Sequence, residues 1–245
     1  MPLPESDSLF TSYISISAGM AIPVGVYGYN ITTIDNAHPS VNGTSDYAGA
    51  GGFAGNGTSI TITAIASLKR PGTSFMGQIG YFQNRFNTAN YASYNISSQN
   101  NYYATTNQLT VSNSYYQIIS ALFGMYMPIT GLKLTLGIRL MGGAVLCISP
   151  DISYSGQATL VKVNSTSNVS DHIASATAIS WAVTPSIDLR YLASKKISVV
   201  AAFGFFFCLP KFNANETDAS GNTSSIRLVC PTSIVTATAG IGYRL

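Results

Sequence analysis

Two histidines, three cysteines and a sparse set of charges are the side chains here with obvious chemical reach. Nucleophilic or general-base catalysis needs a His held beside Ser, Cys or a carboxylate. His172 closes the triplet Ser170-Asp171-His172, and His38 stands far upstream in another polar stretch. Adjacent residues on an extended strand point to opposite faces, so the triplet by itself is not a catalytic triad. Cys147, Cys208 and Cys230 show no metal-ligand spacing. The glycines from Gly49 to Gly57 lack the Lys and the following helix of a phosphate loop. The chain is therefore expected to be non-enzymatic and to use no cofactor. What remains is a group of charges, Arg139, Asp188, Arg190 and Arg244, and a cysteine pair, Cys208 and Cys230. Their meaning depends on the elements that carry them.

Composition narrows those elements. Only 9% of the 245 residues are charged, against about 25% in a typical soluble domain. No run of 18 apolar residues exists, so a transmembrane helix does not account for the deficit. The chain is 46% hydrophobic, with 15 Tyr and 11 Phe, which argues against disorder despite the many Ser, Thr and Asn. The net charge of +3 is spread thinly, and the basic pairs Lys69-Arg70 and Lys195-Lys196 fall at expected turns. No basic stripe for nucleic acid is present. Met1 to Glu5 has neither a basic nor an apolar leader segment, so any secretion signal is expected to have been removed.

The periodicity is that of strands. Between residues 132 and 147, Leu132, Leu134, Leu136, Ile138, Leu140, Ala144 and Leu146 fall on one parity. Lys133, Thr135, Gly137, Arg139, Met141 and Gly143 fall on the other. A period of two separates the charges from the leucines; a helix would mix them. The same alternation marks strands at about 11–24, 48–68, 74–85, 113–127, 173–192, 196–208 and 230–245, eight in all. Short turns are expected at Lys69–Gly72, Pro128–Gly131 and Ala193–Lys195, and long polar loops at about 25–47, 86–112, 149–171 and 211–227. Residues 1–10 read as a tail preceding a single domain, 11–245. An all-β, eight-stranded antiparallel up-and-down barrel spanning a membrane fits this strict alternation of short turns and long loops. A soluble barrel would need charge on its outer wall, and too little is available.

In that barrel Arg139, Asp188, Arg190 and Arg244 point inward. They could form an ion-conducting lumen, or a structural network filling an interior only wide enough for side chains; the second is the expected role. Cys208 and Cys230 also point inward from neighbouring strands, in a register that sets Lys195 opposite Tyr243. A disulfide there would close a loop of about 20 residues and contribute roughly 3 kcal/mol; two buried thiols are the alternative. Cys147 has no cross-strand cysteine and reads as a free, small hydrophobe.

The whole-chain pattern resembles the small OmpA-like and OmpX-like outer-membrane barrels of the porin-family type. The Asn/Tyr-rich loops, the opening Tyr13-Ile14-Ser15-Ile16-Ser17-Ala18-Gly19, and Asp7-Ser8-Leu9 as a short glycosylation acceptor resemble Bacteroidota members. The ending Tyr243-Arg244-Leu245 departs from that family's usual terminal Phe. The resemblance implies a bacterial outer membrane, contact with its lipid and lipopolysaccharide, and a structural or accessory role beside other outer-membrane proteins in a larger assembly. It leaves two alternatives: a narrow porin-like channel, and an enzyme that modifies lipid A or phospholipid.

Overall fold

The computed structural model describes residues 12–28, 52–67, 73–92, 103–104, 110–131, 133–160 and 165–245. His38, the Lys69–Gly72 turn, the first ten residues and most of the first long loop lie outside the described residues. Eight strands close an antiparallel barrel: β1 (Tyr13–Pro23), β2 (Ala54–Ser67), β3 (Ser74–Phe86), β6 (Tyr115–Thr130), β7 (Leu134–Ile148), β10 (Thr177–Leu192), β11 (Ile197–Cys208) and β14 (Thr232–Arg244). The seam is β1 against β14, from Tyr13 opposite Arg244 to Pro23 opposite Ile234. Closure pairs every strand on both sides, which a bilayer demands because it offers no water to an unpaired edge.

The expected alternation is realised. Ile14, Ile16, Phe75, Ile79, Phe123, Leu136, Leu140, Trp181, Leu189, Val199, Phe203 and Phe207 face outward and are exposed. The intervening residues face in: Ser15, Ser17, Ser59, Thr61, Ser120, Arg139, Thr184 and Asp188 are buried. An apolar wall around a polar interior reverses the soluble arrangement and is built for lipid.

One local reading changes. The second short turn falls after Thr130, where the Gly131 N–H reaches the Leu134 carbonyl at 2.7 Å. Pro128 continues β6, opposite Gly137 of β7. It lies past the last β3 partner, since Ser74 meets Tyr126, so its missing N–H faces an unpaired side. In β10, Pro185 pairs with Leu140 of β7, while the ladder to β11 passes from Val183–Phe207 to Ser186–Gly204 without it.

The larger departure concerns the long polar segments. Those at 149–171 and 211–227 are not irregular. They contain β8 (Ile152–Leu160), β9 (Ser165–Ile173), β12 (Lys211–Thr217) and β13 (Thr223–Val229). Two-residue strands, β4 (Tyr103–Ala104) and β5 (Thr110–Val111), both pair with β8. Together they form a second sheet in the order β13-β12-β9-β8-β4, with β5 beside that path. This crown prolongs the barrel strands, with breaks at Pro150, Pro210 and Pro231. The breaks are hydrogen-bonded: Ser149 N–H donates to the Ala176 carbonyl and Cys230 N–H to the Pro210 carbonyl. Crown strands carry a short inner alternation, with Ile152, Ile173, Ala214 and Ile226 packed on Phe53 and Phe86.

The lipid wall sets a test. Phe123→Arg, at the middle of β6, should destabilise the barrel in liposomes by about 2–4 kcal/mol, read from a denaturant titration of refolding. A loss under half that would mean the face is not in hydrocarbon.

Candidate functional site

The barrel interior is filled in three layers. At the short-turn end stand the charges. Arg139 Nε donates to Asp188 Oδ1 at 2.9 Å, and Arg190 Nη2 lies 3.9 Å from Asp188 Oδ2. The Arg190 guanidinium sits 4.2 Å from the centre of the Tyr13 ring, a cation–π stack. Arg139 and Arg190 both lie 5.9 Å from the Tyr126 ring. Gly137 makes room for this group, because a Cβ there would collide with Tyr126 and with the Asp188 carboxylate. Three of the four inward charges are thus brought together. Arg244, at the end of β14 opposite Tyr13, is only half-buried and makes none of these ion pairs.

Above them is a layer of hydroxyls and one amide, including Ser17, Ser59, Thr61, Gln78, Thr184 and Ser186, around a cavity of about 30 Å³. Higher still, Phe82 and Phe206 lie 4.9 Å apart. With Tyr27, Leu122, Val145, Phe212 and Ile234 they form a largely apolar plug across the mouth. Sequence reasoning missed this plug. The signal available was faint: Phe206 and Ile234 are large inward-parity residues on strands whose other inward positions are mostly small, while Phe82 shares its inward face with Met76 and Phe86.

The plug also holds the cysteines, and here the disulfide expectation is corrected. All three thiols are free and buried. Cys208 pairs with Thr232 and Ile197 with Tyr243, two residues away from the register that would have set Cys208 against Cys230. Cys230 falls beyond β14, in the proline break. The nearest thiol contact is Cys147 to Cys208, with sulfurs 4.0 Å apart.

Outside the barrel, the crown holds a second group. His172 Nε2 lies 3.1 and 3.2 Å from the two Asp151 carboxylate oxygens. Asp171 points to the other face, where it accepts the Tyr154 hydroxyl. Ser170-Asp171-His172 is therefore not a triad, as strand geometry requires. The cleft beside His172, about 460 Å³, is lined by Ser112, Ser153, Ser170 and Asp218. Ser112 Oγ accepts from the Ser153 N–H at 2.9 Å, and Ser114 Oγ accepts from the Asp151 N–H at 2.9 Å. Asp218 accepts from the Asn222 side-chain amide, then from the Asn222 and Ser220 N–H groups of its own turn, and these bonds hold its carboxyl below the usual range. Burial, then the Asp171 bond, pushes the Tyr154 phenol up.

No family model matches the sequence, and no curated protein matches it. Among solved structures, the barrel is similar to a major outer membrane protein from Thermus thermophilus. The TM-score is 0.47 at 14% identity, covering 96% of this chain and 99% of that one. It is also similar to the outer membrane protease OmpT from Escherichia coli, at TM-score 0.39 and 10% identity, over 78% of this chain and 65% of that one. Both neighbours are outer-membrane proteins, and likenesses this remote say nothing about what this chain does.

Two tests follow from these sites. Unfolding without reductant in excess alkylating reagent should label all three cysteines; a chain carrying one label would restore an internal disulfide. Glu216 titrates above the usual carboxylate range through burial, then repulsion from Asp171 and Asp218. A raised folded value means its contribution is complete below the ordinary range and is lost as pH rises through the raised one. Protection of the β9–β12 amides, corrected for intrinsic exchange, should fall from mildly acidic to neutral pH in the wild type. Glu216→Gln should flatten that slope.

Proposed function

We propose that this chain is a non-enzymatic outer-membrane protein whose filled barrel anchors a raised sheet that contacts partner proteins. One observation carries the reading: the interior is closed twice, by the Arg139–Asp188–Arg190 group and by the aromatic plug around Phe206. A conducting barrel needs a continuous wet path, and an eight-stranded interior leaves little space once its side chains are placed. The crown, by contrast, offers a broad, mainly polar surface: Ser153, Ser155, Asn213, Asn215 and Arg227 are exposed on it. The strand count supports the small OmpA-like or OmpX-like kind of barrel, and the lipid wall supports contact with outer-membrane lipid and lipopolysaccharide.

The enzyme reading has one observation in its favour, the His172–Asp151 pair at an open cleft. The nearby Ser112 and Ser114 hydroxyls accept from backbone N–H groups, and Ser112 also donates to the Asp151 carbonyl at 3.4 Å. The pair then serves to tie β8's entry to β9. His172→Ala should leave lipid A acyl chains and added peptides unchanged in a mass-spectrometric assay.

The proposal is tested by planar-bilayer recording and crosslinking together. Purified protein should give no conductance steps. Photo-crosslinkers at Ser153 and Asn213 in native membranes should capture a distinct protein. Steps with defined conductance would replace the anchor with a channel, and crosslinks confined to the monomer would remove the assembly role.

A further inference from the structure

The lumen carries a charge imbalance. Arg139, Asp188 and Arg190 are its buried charged groups among the described residues, two cations against one anion. Asp188 accepts its short bond from Arg139 Nε; its separation from Arg190, 3.9 Å, is too long for a hydrogen bond. Arg190 leans on the Tyr13 ring instead. Arginine does not shed its proton to escape burial, and a buried cation without a counter-charge is costly.

The layer above supplies donors. Arg139 Nη2, Ser59 Oγ, Thr184 Oγ1 and Ser186 Oγ are buried without a protein partner. All four belong to residues lining the same cavity of about 30 Å³, room for a few atoms of water's size and too small for a phosphate or a carboxylate ligand. A guanidinium edge can only donate, and a hydroxyl turns to donate when an anion is present. Water would occupy the N–H and O–H groups but leave the surplus charge. A monoatomic anion answers both.

We infer that the hydroxyl layer beneath the plug is a binding site for a single halide ion, chloride in the natural setting, held by Arg139 Nη2 and the Ser59, Thr184 and Ser186 hydroxyls. The ion answers the lumen's surplus positive charge through Arg139, which shares Asp188 with Arg190, and stabilises the closed interior. It is a fixed structural ion, not a permeating one, because the charge group and the aromatic plug enclose it from both ends.

The full chain in detergent provides the test, in two measurements. Thermal unfolding in sodium chloride should exceed that in sodium gluconate, at equal ionic strength, by a few degrees. Crystals grown with sodium bromide should show an anomalous peak in the cavity beside Arg139. Thr184→Val with Ser59→Ala keeps the ion pair and the volume, and should abolish both the halide-dependent shift and the peak. A melting point indifferent to halide overturns the inference. So does a cavity without bromide, even if chloride stabilises the protein, because the ion would then act elsewhere.

Discussion

Everything in this molecule answers to one constraint: in hydrocarbon, each backbone N–H and C=O must find its partner within the protein. A sheet meets that demand only by closing, so β14 returns to β1 along eleven residue pairs, from Tyr13–Arg244 to Pro23–Ile234. Closure fixes the rest. It forces alternate residues into a narrow lumen, where side chains must fill space without leaving charge unanswered. It tolerates proline only where a ladder is already lost, as at Pro128 beyond β3 and Pro185 opposite the gap in β11. It also demands glycine wherever a large inward group needs the space, as Gly137 yields to Tyr126 and Asp188.

The transmembrane region was legible because lipid and lumen impose opposite chemistries at a period of two. Leu134, Leu136, Ile138 and Leu140 against Thr135, Gly137 and Arg139 leave no other assignment. The crown was illegible for the complementary reason. Its apolar inner positions are few, and Ser, Thr and Asn occupy both parities of its sequence, so the segments read as loops. The short runs Phe212–Ala214 and Ile226–Leu228 alternate over too few residues to stand out. Register was the least legible quantity. Cys208 and Cys230 share a parity, and parity is unchanged by a slip of two, so alternation alone could not distinguish a disulfide from the observed Cys208–Thr232 pairing.

The candidate sites divide along the same line. Inward parity identified Arg139, Asp188 and Arg190 as neighbours, but could not show that Arg244 stands apart near the rim. The His172–Asp151 pair joins residues on either side of the β8–β9 hairpin. Such a contact depends on where Pro150 bends the chain, which composition does not report. The plug was hidden by its own economy: one large residue from each of several strands, none conspicuous alone.

The continuity of crown and barrel has a mechanical consequence. β8, β9, β12 and β13 continue from β7, β10, β11 and β14, so any load applied to the crown pulls along the strand axes. Ladders strained lengthwise must slide as a whole, with many bonds sharing the force, whereas ladders pulled sideways unzip bond by bond. The two sheets are also packed together, since Phe212 of the crown lies in one core with Phe206 and Ile234 of the barrel, so a load on the upper sheet is shared by the lower.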